Sequence, residues 1–408
     1  MRDVKYLLIG GGLASIRAAQ QIRTVDTDGS ILIACDEPVP PYDRPPLSKE
    51  YLQGVKTIDE ISLGDTEQLV GLKVECALSQ EVTAIDPKAK TATLAGGEQI
   101  HYEKAMIATG GRPVQLDLPG SSLTGIHYLR TAADADAIAA AAQPGRKAII
   151  IGGGFIGLEV AATLRKRDVD VTVIEALPRI WERLGNADLA DYVSGYCTAK
   201  GVKFRYSTLV SEFRGEGRVD AVITNTGDVL ECDLVCIGVG IRPNVELALA
   251  AGLEVNDGII VDENMRTSDP HIYAAGDVTN YFDALFHRRR RAEHWGHAEQ
   301  SGRVAGLNMA GGAEVYELLA YVWSDIFDIH LEFAGDEHDH DAQVRRGELA
   351  DNSFMIMYLK EGRVTAFFAI NTPAREYSIV RRMIMKKTDL SGREAQLADP
   401  AVGLRSLL

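Results

Sequence analysis

Two stretches of this chain repeat one pattern, and few folds accommodate it. In the first, Val4-Lys-Tyr-Leu-Leu-Ile runs into Gly10-Gly-Gly12, followed by a small-residue helical segment from Ala14 and an apolar strand at Ile31–Ala34. In the second, Ala148-Ile-Ile-Ile runs into Gly152-Gly-Gly154, a helical segment from Ile156 and an apolar strand at residues 171–174. Apolar strand, glycine turn, helix and apolar strand make a βαβ unit. Its double occurrence predicts an α/β protein with two Rossmann-like dinucleotide-binding domains.

The second copy carries the cleaner chemistry. Gly152, Gly154 and Gly157 form an intact G-x-G-x-x-G. The first glycine makes the turn, the second lets backbone approach a pyrophosphate, and the third lets helix pack on strand. Phosphate charge is then stabilised by the free N–H groups at the helix N-terminus. Glu175, at the end of the following strand, is placed to take both ribose hydroxyls and to repel a 2′-phosphate, so NADH is expected rather than NADPH. In the first copy Ser15 stands where the third glycine is expected, which predicts slightly looser helix–strand packing, and Asp36 is the matching ribose carboxylate. Its residues alone do not say which dinucleotide it holds.

At 408 residues the chain is long enough for two or three domains. A helix closing at Pro144-Gly145 marks a boundary, and further strands precede Gly240-Ile-Arg-Pro243 and end in Gly276-Asp277. From about Glu314 the texture changes. A hairpin around Lys360-Glu-Gly362-Arg, followed by a helix through residues 375–385, predicts a small α/β domain at the C-terminus. The expected division is 1–110 with 240–315, then 111–239, then 316–408.

The net charge of −15 argues against general binding to nucleic acid or to an anionic membrane. No apolar run reaches the length needed to span a bilayer, and the first apolar stretch lacks the flanks of a signal peptide, so a cytoplasmic location is expected. The five cysteines have neither C-x-x-C nor metal-ligand spacing. Cys232 and Cys236 fall in an apolar strand and are expected to be buried. His338-Asp-His340-Asp341 has two histidines in an acidic stretch without further ligands, and reads as a loop; no metal is expected.

Several motifs then occur in a telling order: Tyr42-Asp-Arg44-Pro-Pro-Leu-Ser-Lys49, Ala108-Thr-Gly110, Gly240-Ile-Arg-Pro-Asn-Val-Glu-Leu-Ala, Ala275-Gly-Asp277, Glu293-His-Trp295 and Val322-Trp-Ser-Asp325. Together they resemble the FAD-dependent NADH:ferredoxin and rubredoxin reductases. That family includes putidaredoxin reductase and the reductase components of dioxygenases, with apoptosis-inducing factor as a relative. The resemblance implies that residues 1–110 and 240–315 bind FAD and residues 111–239 bind NAD. It puts Gly10, Gly12, Leu13 and Ala14 along the FAD pyrophosphate and Asp36 on its ribose. Arg44 and Lys49 would flank the flavin, Val82 and Arg130 the adenosine part, and Asp277 the ribityl chain. Glu293, His294, Trp295 and Trp323 would border the flavin and nicotinamide. On the NAD side it implies Gly152, Gly154, Phe155, Ile156, Glu159, Glu175 and Gly240. Read without the motif, Arg44 and Lys49 are surface charges, the two tryptophans core aromatics, and His294 a structural histidine.

The resemblance also implies an ion pair between Lys49 and Glu159 beside the flavin, Lys49 favouring the reduced form. The dithiol-using relatives carry a cysteine pair near residues 44–49, and this chain has none. Disulfide reduction is therefore not expected, and the electrons should leave singly for an outside iron–sulfur carrier. Such carriers are usually acidic. His287-Arg-Arg-Arg-Arg291 is a candidate docking rim, with Arg345, Arg346, Arg381 and Arg382 as weaker ones; the alternative is that these arginines pair with the chain's own carboxylates. Two other functions stay open: an NADH oxidase or diaphorase using oxygen or quinones, and a slow-turnover NADH-sensing protein. Oligomeric state is not legible.

Overall fold

The computed structural model describes the backbone of residues 1–64 and 66–408, and the side chains of these except 66–68. Contacts group the chain into two compact units. One comprises Met1–Arg44, Ile58–Arg112 and Ile241–Ala320; the other comprises Pro45–Thr57, Pro113–Gly240 and Tyr321–Leu408.

In the first unit the strand Arg2–Ile9 lies between Ile31–Ala34 and Gln99–Ile107, parallel to both. Val74–Ala77 extends the sheet on one side, and Ile272–Ala274 pairs parallel with Ala105, Met106 and Ile107 on the other. Strands covered on both faces read as unbroken apolar runs, and Leu7, Leu8, Leu32 and Ile33 are indeed 0% exposed. The helix Leu13–Arg23 makes the first crossover. The helix Trp295–Met309 packs against it closely enough that only glycine fits at two positions. A Cβ on Gly302 would stand 2.3 Å from the Ala14 carbonyl oxygen, and one on Gly306 would stand 2.4 Å from that of Ala18.

The second unit repeats the plan. Its parallel sheet runs in the order Lys203–Arg205, Asp170–Ile174, Lys147–Ile151, Leu234–Ile237, Ile126–Tyr128, with the helix Phe155–Lys166 as first crossover. Leu234–Ile237 is an inner strand, between Lys147–Ile151 and Ile126–Tyr128, and buries Cys236; Cys232, two residues before the strand, is buried as well. All five cysteines are free. Tyr321–Leu408 folds into an antiparallel sheet in the order Tyr321–Ile326, Ile329–Gly335, Arg363–Ile370, Ser353–Lys360, Ala342–Glu348, followed by the helix Ala374–Lys386. Glu361 (φ 49°) and Gly362 (φ 70°) are both left-handed, the two-residue turn that matches strand twist at the expected hairpin. This segment, expected as a domain of its own from residue 316, shares a core with 113–240. Leu158 and Leu164 of the crossover helix cluster with Ile326, Leu331, Phe354 and Phe368. Among the described residues no helix is long and apolar enough to cross a membrane.

Candidate dinucleotide and redox sites

In the first unit the glycine turn is fixed by backbone crowding. Gly10 has φ +113°, and a Cβ there would lie 2.3 Å from the Ala108 carbonyl oxygen. Gly12 caps the helix without a side-chain hydrogen bond, and a Cβ on it would meet nothing within 4 Å. Gly12 thus leaves space at the start of the helix beside Leu13 and Ala14, which fits a dinucleotide pyrophosphate. Ser15 corrects the expectation of looser packing. Its buried hydroxyl donates to the Gly10 carbonyl oxygen at 2.6 Å, so the turn is tied to the helix rather than loosened. Gly276 (φ +77°) sits beside Ala14, which places the half-buried Asp277 by the same turn.

Asp36 differs from its expected match. Gly10 N–H donates to Ala34 O as Gly152 N–H donates to Ile174 O, so the residue in step with Glu175 is Cys35. Asp36 lies one residue further on and is exposed. Next to it Glu37, which the sequence did not single out, accepts from Tyr42 Oη (2.5 Å) and Arg44 Nη2 (2.8 Å). Trp295 Nε1 donates to Asp43 Oδ1 at 2.7 Å, tying the start of its helix to the Tyr42-Asp-Arg44 segment. His294 caps that helix. Burial, and secondarily the charge of Arg290, push its imidazole down to about 4, and its Nδ1 is buried without a partner among the described residues. Glu293 accepts from Arg291. Val82 is a core residue, 8% exposed.

In the second unit Gly152 (φ +103°) would place a Cβ 2.4 Å from the Gly238 carbonyl oxygen, and Gly157 would place one 2.1 Å from that of Gly152. Gly154 caps the helix with open space beside it, and the first helical residues Phe155 and Ile156 follow. Glu175 directly follows its strand, and its carboxylate accepts from Gly153 N (2.8 Å) and Leu177 N (2.9 Å). It is thereby held beside the turn, as ribose recognition requires. Gly240 has φ +113° and open space, and Arg130 precedes the capping box of the helix Ala132–Ala141.

Lys49 and Glu159 belong to this second unit and form a buried ion pair, Nζ to Oε1 2.9 Å, with Lys49 9% and Glu159 3% exposed. Two residues missing from the expected set complete it. Ser324 Oγ donates to Glu159 Oε1 at 2.6 Å, and Ser48 Oγ donates to Oε2. Both serines stand inside quoted motifs, but nothing in a linear sequence reports that they converge on one carboxylate. Trp323, half-buried, stacks on Tyr321 at 6.1 Å. Arg44, Asp277 and Trp295 are in the first unit; Lys49, Arg130 and Trp323 are in the second.

The candidate docking arginines divide. Arg290 pairs with Asp283 (3.3 Å), Arg291 with Asp257 and Glu293, and Arg289 donates to the carbonyls of Val261 and Asn280. Arg346 is 5% exposed, bonded to Glu376 and to the carbonyls of Leu397, Asp399 and Val402, and is a structural anchor rather than a docking residue. Arg345 pairs with Asp188 and Glu348, and Arg381 lies 4.0 Å over Tyr321 and 3.5 Å from Glu332. Arg382 is exposed. His338 is hydrogen-bonded to Asp336 (3.0 Å) and His340 to the Glu337 carbonyl (2.6 Å) within their loop.

Comparison with known proteins agrees with this architecture. The profile of the pyridine nucleotide-disulphide oxidoreductase family matches residues 4–302, and that of the reductase C-terminal domain matches residues 321–408. The chain is 36% identical to a probable ferredoxin reductase, CtmF, of Castellaniella defragrans, over 99% of this chain and 98% of that one. It is also 36% identical to the ferredoxin–NAD(+) reductase component of the anthranilate 1,2-dioxygenase system of Burkholderia cepacia, over 99% of each. Among solved structures, the covalent complex of putidaredoxin reductase with putidaredoxin superposes with a TM-score of 0.94 at 31% identity, covering 100% of this chain and 98% of the other. The chain belongs to the pyridine nucleotide-disulphide oxidoreductases, in the branch of ferredoxin reductases that carry the reductase C-terminal domain.

Proposed function

We propose that this protein is an FAD-dependent oxidoreductase that takes a hydride from NADH and passes electrons singly to a ferredoxin- or rubredoxin-like iron–sulfur carrier. The observation that carries the reading is a pair of glycine turns able to hold two dinucleotides, beside a motif that ends in a buried Lys49–Glu159 pair rather than in cysteines. FAD goes to residues 1–110 with 240–315 and NADH to 111–239, with 316–408 as the C-terminal domain. A cytoplasmic location suits a partner of this kind.

Bound flavin supplies the chemistry: it accepts two electrons with a hydride and gives them up one at a time. The chain's residues do the rest. Gly10, Gly12, Leu13 and Ala14 line the FAD pyrophosphate, Asp36 takes its ribose and Asp277 its ribityl chain, with Val82 and Arg130 at the adenosine. Gly152, Gly154, Phe155, Ile156 and Gly240 receive NADH, and Glu175 takes its ribose. Lys49 presents a cation that favours the more negative reduced flavin, and Glu159 holds that lysine in place through their buried ion pair. Arg44, Glu293, His294, Trp295 and Trp323 border the flavin and nicotinamide. His294, kept neutral by burial, adds no charge there at neutral pH.

The test is an anaerobic stopped-flow mix of the yellow holoenzyme with NADH and then NADPH, following flavin absorbance, with iron–sulfur proteins as re-oxidants. Rapid bleaching by NADH, much slower bleaching by NADPH and re-oxidation by a carrier are expected. A long-lived complex with slow bleaching would overturn the reading in favour of NADH sensing.

A further inference from the structure

We propose that Ser48 and Ser324 are positioning residues for electron transfer, acting through Glu159 to hold Lys49 in its working place. This rests on the redox role given above to Lys49 and Glu159.

A buried carboxylate is costly unless its lone pairs are met by donors. Glu159 has three side-chain donors, drawn from two separate segments. Lys49 Nζ and Ser324 Oγ share Oε1 at 2.9 and 2.6 Å, and Ser48 Oγ takes Oε2. Both serines are as buried as the carboxylate, Ser48 at 2% and Ser324 at 0% exposure. A second tie fixes the same stretch: Thr163, one helical turn beyond Glu159, donates from Oγ1 to the Ser48 carbonyl oxygen at 2.7 Å. Residues 48 and 49 are therefore clamped to the helix Phe155–Lys166 at two points, one turn apart. Lys49 Nζ has the Pro45 carbonyl as its other acceptor, at 3.2 Å.

Ser324 makes the third link. It lies on the strand Tyr321–Ile326, where successive side chains point to opposite faces. Ser324 is thereby turned toward Glu159, while Trp323 and Asp325 take the other face. One hydroxyl thus sets the register between the strand bearing Trp323 and the helix bearing Glu159. Rate is sensitive to such placement, because misplacing reacting groups by about 1 Å costs on the order of 10²-fold. Removing either hydroxyl leaves the carboxylate under-bonded and free to shift with its lysine.

The experiment is a double-mutant cycle on the holoenzyme: Ser324→Ala and Ser48→Ala, each alone and combined with Glu159→Gln. Flavin reduction at saturating NADH is followed by stopped flow, alongside NAD⁺ affinity. Each serine variant should retain FAD and NAD⁺ affinity and lose about tenfold in reduction rate, the size of one hydrogen bond to a charged group. In the Glu159→Gln background the same substitution should cost nothing more, and Ser324→Thr should keep the wild-type rate. Full additivity in both backgrounds, or an unchanged rate in both single variants, would overturn the proposal. If Ser324→Ala fails to hold FAD, Ser324→Cys, near-isosteric with a weak donor, takes its place in the cycle with the same expected outcomes. An unchanged rate in Lys49→Ala and Glu159→Gln themselves would instead overturn the redox role of the pair.

Discussion

At the scale of single residues, burial decides what the chemistry can be. His297 is 0% exposed between Thr279 Oγ1 on Nε2 (2.9 Å) and Tyr316 Oη on Nδ1 (2.5 Å). Thr279 already donates to the Gly276 carbonyl, so His297 donates from Nε2 and accepts at Nδ1, the neutral tautomer. Burial pushes it down to about 4. The unfolded chain therefore binds the extra proton first, and stability falls as pH drops from about 6.5 toward 4. Between pH 7 and 5 this group alone should remove roughly 2 kcal/mol. Denaturant unfolding of the holoenzyme should show the loss, and His297→Gln should flatten the pH slope by about one proton. Glu175 gives a second prediction. Each of its two oxygens accepts one backbone N–H, so Glu175→Gln can keep only one of these bonds and removes the charge that repels a 2′-phosphate. The ratio of kcat/KM for NADH over NADPH should fall about tenfold or more in steady-state assays, most of it through KM.

At the scale of elements, the first unit depends on two helices meeting at backbone distance. Gly302 and Gly306, one turn apart, face Ala14 and Ala18, and their missing side chains let the helix Trp295–Met309 approach the helix that begins at the Gly10–Gly12 turn. Gly306→Val must push the helices apart or move the Ala18 backbone. Overpacking of this kind costs about 1–3 kcal/mol, and here it also disturbs the elements that carry Ala14 and Trp295. The variant should purify with less than half its flavin and a lowered Tm, whereas Gly195→Ala, with open space around it in the helix Ala187–Ala199, should lose no flavin. The Gly302–Gly306 spacing is visible in the sequence as Ser301-Gly-Arg-Val-Ala-Gly306, but which helix it receives is not. Likewise Ser15 reads as a flaw in a glycine fingerprint until its hydroxyl is seen bonded to Gly10.

For the whole molecule, the relevant field is that of an acidic protein, net charge −15, meeting a carrier expected to be acidic too. Exposed basic groups then matter more than the number of arginines. Arg290 and Arg291 are engaged by the chain's own carboxylates, whereas Arg382 lies exposed on the helix Ala374–Lys386 near exposed Arg375, Lys386 and Lys387. Arg382→Glu should raise the KM for an acidic carrier about threefold at low salt, and the difference should vanish near roughly 0.5 M salt, where exposed charges are screened. Reduction of a small neutral acceptor should be unaffected. Steady-state assays across a salt series, with both acceptors, check this.

By itself the sequence determined whatever is local or periodic. The strands are legible because burial on both faces demands unbroken apolar runs, and the two turns because φ near +100° and a carbonyl within 2.5 Å of any Cβ admit only glycine at Gly10 and Gly152. The C-terminal hairpin follows from its left-handed Glu361-Gly362 pair, and the family from motifs in a fixed order. Only the tertiary structure decided what depends on convergence of distant segments. It put Cys35 rather than Asp36 in step with Glu175, because register is set by backbone hydrogen bonds that a motif does not count. It turned Arg346 from a docking candidate into a buried anchor, because five-donor guanidinium groups go where unpaired carbonyls collect. And it brought Ser48, Lys49 and Ser324 onto Glu159, because a carboxylate taken out of water must find its donors wherever the fold supplies them.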